Sequence, residues 1–363
     1  SVGLFAERTT REGAPDSSYF RTFVQARQIY SIITAKRHGW SGNAEELVRQ
    51  SMAVILKNAR RADGLYVHRL SANGEALDGR ADLYDQAFVL FGMAYAGQAL
   101  SDELLFDRAE ELLDALEHHW ADPAGGFFEG EIVDNSIRRQ NPHMHLLEAF
   151  NALHTASGRQ RFGDAGVRIA ELCRDKFIDP TTGALKEYFA HEWLPLDDER
   201  GEVVEPGHCF EWAWLFEALA QKGWSDAVMV SDRMTGFARD HGICKVRNVA
   251  MNEILLNGRV RSAQARLWPQ TERLKVACAR YGRTGRAEEA WEIVAAYEGL
   301  KQYYLPEAPW LWMDKLNEDF SFVEEMVPAS SLYHISCGVS ELLAVSVVEA
   351  PHEPRATCTA DLA

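Results

Sequence analysis

Six chemically capable side chains recur along this chain at nearly one interval. They are Arg27, Tyr84, His145, His208, Trp268 and His334, separated by 57, 61, 63, 60 and 66 residues. A fixed period of this length marks a repeated supersecondary unit. It constrains the fold more than any local propensity, because each unit must bury its apolar face against the next. The five later residues each open a stretch with the character of a buried helix: DQAFVLFGMA after Tyr84, LLEAFNAL after His145, CFEWAWLFEAL after His208, PQTERLKVA after Trp268 and ISCGVSELL after His334. Arg27 lies inside its own helical stretch, QARQIYSIITA. Residues at one phase of a repeat share one side of the assembly, so these six are expected to face one cavity.

A second phase carries the same period. Asp63, Asp122, Asp179 and Asp240, spaced by 59, 57 and 61 residues, each read as a turn opening into a short extended piece. Two helical stretches separate successive turns, for example Glu45–Arg60 then Tyr84–Leu100, and Ser101–His119 then His143–Ser157. The repeating unit is therefore a helix hairpin with a short β-like excursion, and 363 residues hold about six of them. The expected fold is all-α: an (α/α)6 barrel of six hairpins, with the excursions in the loops at one rim. Residues 1–350 are expected to form a single catalytic domain, and 351–363 a disordered tail. The long irregular segments 71–80, 126–141, 185–207 and 303–328 read as the walls of that rim.

Composition narrows the partners. Lys and Arg total 38 against 54 Asp and Glu, a net charge of −16. Nucleic acid, which needs a basic face to displace counterions, is excluded as an expectation, and so is an anionic membrane surface. No run reaches the roughly 18 apolar residues of a membrane span. The opening SVGLFAERTTREG lacks a secretory pattern, and the six cysteines show no CxxC spacing. Both point to a cytoplasmic protein with reduced thiols, a monomer or homodimer.

The motifs supply the chemistry. In PGHCFEWAWLFEAL, His208 starts a helix and Glu211 follows on the same face, where a carboxylate would orient the imidazole. The HxxE spacing also occurs in metal sites. In RQNPHMHLLEAF, Pro142 places Asn141 in the loop ahead of a helix, and His143 and His145 point to different faces. His145 keeps the repeat phase; His143 is expected to serve loop backbone. In PASSLYHISCG, a serine caps the helix of His334. Trp268, in RLWPQTERLK, offers an aromatic plate for the apolar face of a sugar ring, though core packing explains it as well. Arg27 is a cation among apolar neighbours and needs acceptors; a structural ion pair would supply them equally. Tyr84 shares that ambiguity.

The chain contains no GxGxxG, Walker loop or GxSxG. Proton chemistry by histidines remains, with no cofactor and no metal expected. Taken in order, QARQIY, DLYDQAFVL, NPHMHLLEAF, PGHCFEWAWL, RLWPQTE and VPASSLYHI resemble the N-acylglucosamine 2-epimerase superfamily, most closely its D-mannose isomerase branch. The resemblance runs through nearly the whole chain. It implies cofactor-independent isomerisation of an unphosphorylated monosaccharide, with His208 and His334 catalytic and Arg27, Tyr84, Asn141, His145, Glu211 and Trp268 around the sugar. Arg200 is a candidate for a further sugar contact. The alternatives are a sugar 2-epimerase and, more remotely, a glycoside hydrolase or a non-catalytic sugar-binding module.

Overall fold

In the computed structural model of the chain, residues 2–306 and 311–345 are described; the expected tail, 351–363, lies outside them, as does the end of the expected domain. Six inner helices alternate with five outer ones. The inner set is α1 (Thr22–Arg37), α3 (Leu83–Leu100), α5 (Gln140–Ser157), α7 (Pro206–Gln221), α9 (Leu267–Thr284) and α11 (Ser331–Ala344). The outer set is α2 (Ala44–Val54), α4 (Glu103–Trp120), α6 (Gln160–Leu172), α8 (Ala227–Gly242) and α10 (Ala287–Tyr303). Neighbouring inner helices pack in chain order, and α11 returns to α1, which closes the ring. The fold is an (α/α)6 barrel. Among the described residues, α11 is the one inner helix without a following outer partner.

Patterning explains the two layers. An inner helix meets neighbours on both flanks and a cover behind, so it is apolar almost all round. In α3, the run from Leu83 to Ala94 is buried at every position except Tyr84. Outer helices bury one stripe. In α6 that stripe is Phe162, Ala165, Gly166, Ile169, Ala170 and Leu172, with charged residues on the opposite face. Local signals set the boundaries. Ser101 adopts a left-handed conformation that stops α3, and Asp102 then caps α4 by accepting from the Leu104 amide at 3.1 Å.

The repeated aspartates are turn residues at three of four positions. Asp63, Asp122 and Asp179 each accept a backbone amide two residues on, at 3.2, 2.9 and 3.0 Å. Gly64 and Gly183 then take φ of 89° and 81°, which side chains disfavour. Asp240 differs. It lies in the last turn of α8, and the chain turns only after the strand Ile243–Cys244, at Asn248. Gly242 follows it two residues on and ends α8 without a positive φ.

The short strands all lie between the end of an outer helix and the start of the next inner one, or ahead of α1. They form two- and three-stranded antiparallel pieces, such as Tyr19–Arg21 with Arg69–Ser71 and Ala76–Asp78, and Val203–Val204 with Glu253–Leu255 and Val260–Ser262. Their place in the chain order puts them at the rim where the inner helices begin. The thinnest seam of the ring is α5–α7. A buried bond spans it, from Trp212 Nε1–H to Gln140 Oε1 at 2.5 Å.

The core is continuous through α3 and α5, where Phe88, Phe150 and Leu153 are wholly buried. Replacing Phe150 by Ala is expected to cost about 3–5 kcal/mol. Denaturant unfolding of the two proteins side by side, followed by circular dichroism, measures the difference.

Candidate active site at the helix starts

The six phased residues do meet. Each lies in the first two turns of an inner helix, so the start of every inner helix contributes to one cavity of about 270 Å³. Arg27, Tyr84, Asn141, His145, His208, Glu211, Trp268 and His334, every residue expected from the sequence, line it. Helix starts carry partial positive charge, which favours negative charge developing on a bound oxygen.

Trp268 stands close to two of the histidines. Its ring centre lies 4.8 Å from that of the His208 imidazole and 5.7 Å from that of His334. Each is steadied through Nδ1 by a buried carboxylate. His334 Nδ1 lies 2.8 Å from Glu272 Oε1, and His208 Nδ1 lies 2.9 Å from Glu187 Oε2, each within hydrogen-bond distance. His145 Nδ1–H donates to Glu148 Oε2 at 3.2 Å, while Tyr333 donates to the other Glu148 oxygen. All three Nε2 atoms stay free for a substrate.

Electrostatics sets His208 and His334 apart. Burial works against charge on His208, yet Glu187 at 2.9 Å and Glu205 at 3.9 Å outweigh it and push its pKa up to about 9. His334 goes the other way. Burial, with the nearby Arg27 and Lys275 cations, holds it well below the usual imidazole value. Burial also lowers His145 to about 4, although Glu148 opposes the shift. At neutral pH the cavity therefore holds one imidazolium and two neutral imidazoles. Titratable groups driven apart in this way separate an acid from a base.

Arg27 is buried without a carboxylate partner; no ion pair of Arg27 occurs among the described residues. Its guanidinium donates to the Tyr84 hydroxyl at 2.6 Å and lies over the Phe88 ring, 4.2 Å from its centre. Its Nε has no hydrogen-bond partner. The structural ion pair that the sequence allowed is absent, and the cation remains available to a substrate oxygen.

Three expectations need correction. Glu211 lines the cavity, but the carboxylate that orients His208 is Glu187; Glu211 Oε1 has no partner, and burial beside Glu272 pushes its pKa well above the usual range. A protonated Glu211 offers a neutral acid group. Asn141 is the second residue of α5 and lies within the helix, because Pro142 falls in the first turn, where its missing N–H is not needed. Arg200 does not reach the cavity. It is about half exposed and bonded to Asp198 at 2.6 Å. Arg266 lines the cavity instead, held by Glu205 at 2.7 Å. His143 serves backbone as expected, accepting from the Phe127 amide at 3.0 Å and donating to the Arg139 carbonyl at 3.1 Å. The described cysteines are all free thiols; Cys358 lies outside the described residues.

The sequence reading passed over Glu187, Glu205, Arg266 and Asp314. One signal for Glu187 was present. The fourth residue after the turn glycines Gly64, Gly125 and Gly183 is His68, Glu129 and Glu187. Each reaches the start of the next inner helix or the residue just before it. His68 bonds Asp85 at 2.7 Å, Glu129 accepts from the Arg139 amide at 2.6 Å, and Glu187 holds His208.

Three groups of donors stand close enough to share a cation: His145–Glu148–Glu211, Glu187–Glu205–His208 and Glu211–Glu272–His334, each within 4.8 Å. In every group the histidine is already bonded to a carboxylate of its set, and the Lys275 ammonium lies 2.6 Å from Glu272. The chain's own protons and ammonium balance these carboxylates. A larger cavity, about 480 Å³, opens among the later turns of the inner helices. It holds no histidine, and its polar side chains pair with one another, Arg37 with Gln98 and Trp214 with Glu341. The chemistry resides in the smaller one.

An (α/α)6 barrel with a ring of histidines and carboxylates at its inner helix starts defines a class of sugar isomerases and epimerases. The chain belongs to the N-acylglucosamine 2-epimerase (GlcNAc 2-epimerase) family, whose sequence profile matches residues 3–338. It is 35% identical to a mannose-6-phosphate isomerase of Rhizobium meliloti (strain 1021), over 94% of this chain and 90% of that protein. It is 30% identical to a D-mannose isomerase of Thermobifida fusca, over 40% of this chain and 39% of that one. A crystal structure of D-mannose isomerase superposes with a TM-score of 0.86, covering 94% of this chain and 92% of the other at 18% identity. The chain is an isomerase of this family.

The opposed histidines give a pH dependence. A group whose pKa is raised stays protonated below that value, so His208 loses its proton as pH rises through about 9. If the imidazolium acts as acid, kcat falls across that pH. Glu187→Gln removes the stronger of the two supporting charges and moves the fall to lower pH, so that at pH 8 a pKa lowered by one unit about halves the rate and one lowered by two units cuts it about tenfold. A pH profile of kcat for both proteins checks the direction.

Proposed function

We propose that this chain is a cofactor-independent aldose–ketose isomerase that interconverts D-mannose, or a related free aldose, and D-fructose through a cis-enediol. The observation that carries the reading is the pair of imidazoles of opposite protonation, His208 and His334, at 4.8 and 5.7 Å from the Trp268 ring in a cavity that Arg27, free of any carboxylate partner among the described residues, also lines. The sugar enters as a pyranose and lays its apolar face on Trp268. His208 gives its Nε2 proton to O5 as the C1–O5 bond opens, and recovers a proton from the O1 hydroxyl. The open aldehyde results.

His334 Nε2 then takes the proton from C2. The electron pair left behind forms the C1–C2 double bond, and O1 gains negative charge. Arg27 and the helix starts stabilise that charge, the electrostatic contribution that usually dominates such steps. A proton passes from O2 to O1, which leaves the cis-enediol as its anion with the charge on O2. As O1 stays with C1, collapse returns the His334 proton to C1 and leaves the carbonyl at C2, which is the ketose. Asn141, His145, Tyr84 and Glu211 hold the hydroxyls.

The cavity's remaining cations favour an uncharged sugar. Arg266 is bonded to Glu205, and Lys315 to Glu325 at 2.8 Å. Asp314, buried beside Ser331, adds a carboxyl at the same wall. A sugar phosphate would have to displace these pairs. A second reading is a sugar 2-epimerase, in which the proton returns to C2 from the opposite side. Two histidines lining one cavity favour it, and the difference is which of them reaches which carbon.

The test is incubation of D-mannose with the chain in D2O, followed by NMR. Fructose carrying deuterium at C1, or hydrogen transferred from C2, is the expected product. Glucose with deuterium at C2 would replace the isomerase by the epimerase, and turnover of mannose 6-phosphate alone would replace the free sugar. His208→Ala and His334→Ala are each expected to lower kcat by about 10²–10⁴-fold with helix content unchanged.

A further inference from the structure

Beneath the cavity lies a group that the reaction above leaves unused. Lys275, one turn beyond Glu272 on α9, is wholly buried. Its ammonium lies 2.6 Å from Glu272 Oε2 and 3.9 Å from the centre of the Trp214 ring. The other oxygen of the same carboxylate accepts from His334 Nδ1. Ammonium, carboxylate and imidazole thus form one line, and the free Nε2 at its end faces the cavity.

A buried carboxyl can bond an imidazole in two ways. Ionised, it only accepts, so Nδ1 carries the ring proton and Nε2 presents a lone pair. Protonated, it donates to Nδ1, and the ring proton moves to Nε2, where no lone pair is left to take hydrogen from carbon. Burial favours the protonated form of Glu272, and Lys275 is the chief group opposing it. We propose that Lys275 is a positioning residue: its ammonium keeps Glu272 a carboxylate and thereby fixes His334 as the Nδ1–H tautomer, the form that can act as base.

The surroundings leave this task to Lys275. Facing it are Glu272 on its own helix, Glu211 and Trp214 on α7, Glu148 on α5, Tyr95 on α3, and Cys337 and Glu341 on α11. None of these is a cation. Arg27 on α1 and His145 on α5 face His334 from the other side, and both disfavour a second proton on it. Glu148 is committed to His145 and Tyr333. The only charge in contact with the far oxygen of Glu272 is the ammonium.

The proposal rests on the reading of His334 as the proton acceptor, but its test need not. In the full chain with ¹⁵N-labelled histidine rings, nitrogen shifts separate a protonated from a bare ring nitrogen, and loss of signals in His334→Gln identifies that residue. The native chain at neutral pH is expected to show Nδ1 protonated and Nε2 bare. Lys275→Met is expected to move the proton to Nε2 and to lower kcat by about 10²-fold or more, with KM changed far less. A native chain with its proton on Nε2 overturns the proposal. So does a folded Lys275→Met that keeps the native pattern, whether or not its activity falls. Should that variant not fold, the native spectrum alone decides. Because the shifts are read without sugar, a chain inert toward every free hexose overturns the isomerase reading and leaves the tautomer result standing.

Discussion

Everything in the cavity depends on imidazoles leaning on buried carboxylates. Glu187, Glu148 and Glu272 each bond the Nδ1 of one histidine. The bond fixes the ring in rotation and leaves Nε2 as the one atom offered to a ligand. It also couples each histidine to its depth in the barrel. His208 has two carboxylates within 4 Å and keeps its proton. His334 has one, already claimed by an ammonium, and gives its proton up. One kind of contact yields both an acid and a base, and the surrounding charge decides which.

The barrel makes such contacts tolerable. Ionisable groups taken out of water are costly unless paired, and a half-satisfied network is worse than an apolar core. Here each unit of the repeat brings a polar residue from the rim strands or from an inner helix to satisfy a helix start. The apolar cost is borne elsewhere, by the near-continuous burial of α3 and α5 and by the amphipathic outer layer. Three buried polar atoms without a hydrogen-bond partner, Arg27 Nε, Asn141 Oδ1 and Glu211 Oε1, belong to residues that line the cavity.

Much of this was legible in the chain itself. A period near 60 residues fixed the unit, and one phase of it brought six cavity residues to light, because the start of an inner helix recurs once per repeat; Asn141 and Glu211 came from their motifs. What escaped was contributed by residues without helical phase. Glu187 lies just before the strand Tyr188–Phe189, Glu205 just after the strand Val203–Val204, and Arg266 just before α9. Glu187 keeps the period of His68 and Glu129, but the places of Glu205 and Arg266 depend on where loops of differing length return, which no period records. The choice of Glu211 as the partner of His208 failed for a related reason. Spacing of three places two residues on one face of a helix, but near a helix start the side chain of His208 turns outward to the rim, where Glu187 waits. Lys275 had looked like an ordinary helix residue, and only its complete burial sets it apart.

The ring closes where α11, the last described helix, packs against α1, the first. His334 is carried by that final segment, so a chain still emerging from its ribosome holds five of the six phased residues and yet encloses nothing. The cavity would close in a single event, when α11 finds α1, and a copy made only as far as α9 would lack one wall of it.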